Sequence, residues 1–100
     1  EDRDCLFFRA KGLADLDTFS KSDPYLILYH AGAEPARPGA FAGKTETIMN
    51  DLNPVWRTAI EVDFHFEARQ EFHFTIYDDD GKGPGGDDVA ARGTFQLAHV

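Results

Sequence analysis

Two stretches of strict alternation limit this chain more than any other feature. Ile60, Val62, Phe64 and Phe66 are separated by Glu61, Asp63 and His65, and a few residues later Phe72, Phe74 and Ile76 are separated by His73, Thr75 and Tyr77. Successive side chains of a strand point to opposite faces, so this spacing buries one face and wets the other. A helix would instead repeat its apolar residues at intervals of three and four. Shorter strands are predicted at residues 5–10, 25–30, 44–49 and 94–100, with Asp23-Pro24, Asn53-Pro54 and residues 81–86 as turns. Residues 32–43, rich in Ala, Pro and Gly, read as a long connection. No stretch of ten or more residues has the pattern of an amphipathic helix. Six short strands punctuated by turns predict an all-β, antiparallel sandwich.

One hundred residues make one small domain, and 42% hydrophobic residues with nine Phe are enough to fill a single core. The charged fraction, 28%, is that of a globular chain. Cys5 is the only cysteine, so no internal disulfide forms and a reducing, cytoplasmic setting is expected. It opens an apolar strand, which predicts a buried thiol. No apolar run approaches the roughly 20 residues that span a bilayer, so any membrane contact is expected to be peripheral. The net charge of −8 excludes ready binding to nucleic acid and opposes contact with an anionic membrane unless a cation intervenes.

The acidic residues are unevenly placed. Asp15, Asp17 and Asp23 fall in one loop, while Asp78, Asp79, Asp80, Asp87 and Asp88 fall in another. Both loops flank strands and are placed to meet at one end of a sandwich. Two carboxylates about 4 Å apart repel by on the order of 4 kcal/mol at an effective dielectric near 20. A hard cation between them removes that cost. Calcium, which takes oxygen ligands in flexible geometry, suits such loops; zinc does not, because Cys and His are not clustered here. The simplest alternative is an acidic loop that is merely solvated. An EF-hand starting at Asp78 fails, since Lys82 and Val89 occupy the positions that need oxygen ligands.

The run LADLDTFSKSDPYLILY (residues 13–29), then GKTETIMNDLNPVW (residues 43–56), then FHFTIYDDD (residues 72–80) resembles a C2 domain. More narrowly, DTFSKSDPY, GKTE, LNPVW and FHFE (residues 64–67) resemble the first C2 domain of the copines. The similarity takes in nearly the whole chain. It implies an eight-stranded-type antiparallel Greek-key sandwich over residues 1–100. The sixth strand runs to the last residue, so the expectation is a chain lacking a terminal strand, cut from a longer protein, with an edge left unpaired.

The resemblance also implies a Ca2+ site. The first loop supplies Asp17 and Asp23, and the third loop supplies the D-x-D pair Asp78 and Asp80, with Asp79 contributing its carbonyl. Asp87 and Asp88 both qualify as the fifth carboxylate, and Asp88 is favoured. Phe19 is the candidate for insertion into lipid, with packing beneath the loop as its structural alternative. Lys21 and Lys82 are candidate phosphate contacts. Met49 stands where relatives carry an Arg, and the third-loop tip of Gly, Lys and Pro has no apolar wedge. Trp56, Tyr29 and the alternating phenylalanines are expected in the core.

The implied function is calcium-dependent docking on acidic, phosphatidylserine-type membranes: bound ions reverse the sign of the loop end, and the domain moves from the cytoplasm to a membrane. The alternative is a calcium-independent C2-type module that binds protein partners. An enzyme is not expected, since no G-x-S-x-G, H-E-x-x-H or Cys-His arrangement is present.

Overall fold

The computed structural model describes residues 2–13, 22–31, 38–64 and 70–97. Six strands lie within them: β1 (Asp2–Leu6), β2 (Pro24–Ala31), β3 (Pro38–Lys44), β4 (Ile60–Phe64), β5 (Gln70–Asp78) and β6 (Asp88–Leu97). All pairings are antiparallel. β1 pairs with β4, and the other four form a sheet in the order β3-β2-β5-β6. The sheets face each other across one core, in which Leu26, Leu28, Phe72 and Ile76 from the larger sheet meet Ile60 and Val62 from the smaller. Among the described residues no helix is long and apolar enough to cross a membrane.

The alternation that predicted β4 and β5 is realised. Ile60 and Val62 are buried beside exposed Glu61 and Asp63, while Phe72 and Ile76 are buried beside half-buried His73 and Thr75. Central β2 is different. Tyr25, Leu26, Ile27 and Leu28 are all buried, because the core covers one face and aromatic neighbours cover the other. On that outer face Tyr25 stacks on Tyr77 at 5.3 Å, and Lys44 Nζ lies 4.7 Å from the Tyr25 ring centre.

Several sequence expectations are corrected. The third strand is residues 38–44, not 44–49, so part of the stretch read as a connection is a strand; residues 32–37 lie outside the described residues. Gly43 suits this strand because a Cβ there would stand 2.4 Å from Ile60 Cγ2, so only glycine lets β3 approach β4 so closely. Past Lys44 the chain still runs beside β2, with Thr45 N donating to Leu26 O and Ile48 N to Pro24 O. The ladder is interrupted, however, because the buried Thr45 hydroxyl replaces a backbone carbonyl as acceptor for Leu26 N at 2.9 Å.

β1 covers residues 2–6, earlier than expected, and alternation turns Leu6 and Phe8 toward the core and Cys5 outward, so the thiol is exposed. β6 begins at Asp88, six residues before the expected start. Tyr29 is half-buried on the outer face of the sheet against Phe41, not in the core. Trp56 is in the core, 1% exposed, and its indole N–H donates to Pro24 O at 3.2 Å.

Candidate functional site

Asp23 ties three segments together at one end of the sandwich. Its amide donates to Asp78 Oδ1 at 2.9 Å, and its carbonyl accepts the Asp79 amide at 2.9 Å. Its own Oδ1 accepts the amide of Asn50 at 2.7 Å; Asn50 holds the left-handed turn at φ 53°. Asparagine tolerates that conformation better than most residues. The next residue, Pro24, opens β2 opposite Asp78, the last residue of β5, and Asp78 is also in register with Asp88, the first of β6. The start of β2 and the two ends of the loop that joins β5 to β6 thus bring Asp23, Asp78 and Asp88 to one end.

The five aspartates of the third loop have different surroundings. Asp78 is wholly buried. Asp79 turns to its own turn and to the neighbouring segment: Gly81 N donates to Oδ1 at 2.9 Å and Thr47 Oγ1 to Oδ2 at 3.0 Å. Asp80 is exposed, yet its carboxyl is held above the usual carboxylate range, first by the loss of water around it and then by the negative charges of Asp78, Asp88 and Asp87; Lys82 offsets part of this. Asp88 is exposed.

Asp87 is 7% exposed and faces inward. Its Oδ2 accepts the Tyr25 hydroxyl at 2.6 Å, and its Oδ1 accepts the amides of Asp80 at 3.0 Å and Lys82 at 3.1 Å. Burial would raise its pKa. The three donors outweigh burial and hold it below the ordinary value. Burial, then the Asp87 bond and charge, push the Tyr25 phenol far above its usual pKa. Gly81 and Gly83, at φ 78° and 74°, let the loop turn tightly enough for Gly83 O to accept the amides of Gly86 and Asp87.

Of the residues singled out in sequence, the structure gathers Asp23, Asp78, Asp80 and Asp88 at one end, with Asp79 alongside but its side chain engaged elsewhere. Asp17, Phe19 and Lys21 lie outside the described residues. Lys82 is exposed in the third loop, and Met49 is 66% exposed beside Asn50. Among the described residues no three His, Cys, Asp or Glu side chains form a ready metal-binding group. Sequence reasoning missed Tyr25, Thr47 and Asn50, which hold the acidic loops in place. Nothing local marks them, since each acts through a contact many residues away.

A family model described as the C2 domain matches residues 4–99. The chain belongs to the C2 domain family. This C2 domain is 40% identical over 83 residues to Copine-E of Dictyostelium discoideum, an alignment covering 78% of the chain and 14% of that protein. It is 47% identical over 70 residues to Copine-A of the same organism, covering 68% and 11%. It therefore spans less than a fifth of the length of these copines. Among solved structures it matches human GIVD cytosolic phospholipase A2 with a TM-score of 0.70 at 27% identity, covering 91% of this chain and 11% of that one.

Proposed function

We propose that this C2 domain is a calcium-dependent phospholipid-binding module that docks on acidic membranes by the end carrying its aspartates. The observation that carries the reading is the gathering of carboxylates at one end of the sandwich: Asp78 accepts the Asp23 amide and is in register with Asp88, and exposed Asp80 stands in the negative field of Asp78, Asp88 and Asp87. Negative charges collected in this way repel one another, and a cation among them relieves the repulsion. The donor chemistry fits calcium. The groups offered are carboxylate and backbone oxygens, from Asp23, Asp78, Asp80 and Asp88, with the Asp79 carbonyl and Asp17 of the first loop as the remaining donors. Bound there, calcium would supply positive charge and open positions for lipid phosphate.

The chain's own residues divide the rest of the work. Asp23 and Asn50 tie the start of β2 and the 48–51 segment to the end of β5. Exposed Asp80 and Asp88 present charge outward, so without a cation this end, like the chain's net charge of −8, repels an anionic surface. Phe19, Lys21 and Lys82 are the proposed lipid contacts. Phosphatidylserine-type headgroups are the proposed target, with the cytoplasm as the resting location. The test is co-sedimentation with phosphatidylserine vesicles. Binding should need calcium, be released by a chelator, and be lost in Asp23→Asn and Asp80→Asn. Vesicle binding that survives the chelator would overturn the reading in favour of a calcium-independent interaction module.

A further inference from the structure

Asp87 and Asp88 are neighbours with opposite surroundings. Asp88 is exposed at the start of β6 in register with Asp78, whereas Asp87 is buried and points back into the fold. A carboxylate has about four acceptor positions. Three donors take up three of those of Asp87: the Tyr25 hydroxyl and the amides of Asp80 and Lys82. Both amides belong to the loop segment that bears Asp80. The third donor belongs to a ring in the central strand, 2% exposed and stacked on Tyr77.

We propose that Asp87 is a positioning residue, not a metal ligand: with Tyr25 it clamps the third loop to the rigid centre of the sheet, so that Asp80 and Asp88 are already in place when calcium arrives. This rests on the calcium-binding reading above. The clamp has two effects. It fixes the turn that contains Gly81 and Gly83, where the chain would otherwise be free to choose among conformations, so less order must be gained on binding. It also places a carboxylate behind Asp80 without using a coordination position, since both Asp87 oxygens already accept hydrogen bonds from Tyr25, Asp80 and Lys82. Tyr25 is reached by Asp87 across 62 residues of sequence, so tertiary structure adds to the bonds of the loop's own turns in holding it.

The test combines calcium calorimetry with amide hydrogen exchange on the wild type, Tyr25→Phe, Asp87→Asn and the double variant. Each single variant is expected to weaken calcium binding about tenfold, the scale of one hydrogen bond to a charged group, with the number of bound ions unchanged. The double variant should be little weaker than the worse single, because both changes break one unit. Without calcium, the Asp80 and Lys82 amides should exchange faster in both variants, while those paired between β2 and β5 keep their protection. A lost ion in Asp87→Asn with Tyr25→Phe silent would make Asp87 a ligand and overturn the proposal. So would wild-type affinity and exchange in both variants. If the wild type takes up no calcium, the functional reading fails, and exchange at Asp80 and Lys82 alone decides whether the clamp holds the loop.

Discussion

Thr45→Val tests the claim that a side chain, not a backbone carbonyl, completes the sheet where β3 ends. Thr45 is 3% exposed and its Oγ1 accepts the amide of Leu26, itself 2% exposed, at 2.9 Å. Valine keeps the shape and removes the oxygen. The Leu26 amide then has no acceptor and no water, which costs about 1–3 kcal/mol. Loss of the bond that the hydroxyl donates to Glu46 O at 3.0 Å adds less, because that carbonyl is only partly buried. For a domain of this size each kcal/mol lowers the melting temperature by about 4–8 °C, so a fall between about 4 and 24 °C is expected. Trp56, the only tryptophan and 1% exposed, reports unfolding through its fluorescence. Thr45→Ser keeps the oxygen and loses one buried methyl, worth about 0.8 kcal/mol, so it should melt above the valine variant. A valine variant that melts with the wild type, or above the serine variant, would refute the reasoning.

Gly43→Ala places a methyl against Ile60, at a packing cost of about 1–3 kcal/mol, and combining it with Ile60→Val should recover part of the lost melting temperature. The Tyr25–Asp87 pair makes stability depend on pH at both ends of the scale. Asp87 titrates below an unfolded carboxylate, so its contribution is present above about pH 4 and is lost as pH falls through its folded value; Asp87→Asn should flatten the acid limb of the stability curve. Tyr25 titrates above an unfolded tyrosine, so its contribution is present below about pH 10 and is lost at higher pH. Phenolate absorbance should show a tyrosine ionising late in the wild type and earlier in Asp87→Asn.

Where local pattern decides the structure, the sequence was sufficient. The alternation at Ile60 and Val62 and at Phe72 and Ile76 marks strands because each has one face on the core. The D-P and D-x-D signals likewise place Asp23 and Asp78 at strand ends, and the register of β2 with β5 brings those ends together. Long-range packing was not legible. β3 was hidden because Gly43 serves close approach to Ile60 and Gly39 close approach to the β2 backbone at His30 and Ala31, which leaves no alternation to read. Residues 44–49 looked like a strand because they do follow β2, with a threonine hydroxyl in place of a carbonyl. Cys5 lies in an apolar run, but the parity of β1 against β4 decides which of its residues face out. The different surroundings of Asp87 and Asp88 depend on a tyrosine 62 residues away, which no spacing rule reveals.

The central claim is that the aspartates gathered at one end take up calcium and thereby permit contact with lipid. Calorimetric titration with calcium chloride, with and without phosphatidylserine vesicles, tests it directly. The account expects saturable calcium uptake by the protein alone, tighter uptake when acidic vesicles are present, and loss of both in Asp80→Asn. A flat titration in both conditions, with the protein shown to be folded by the buried signal of Trp56, would contradict it.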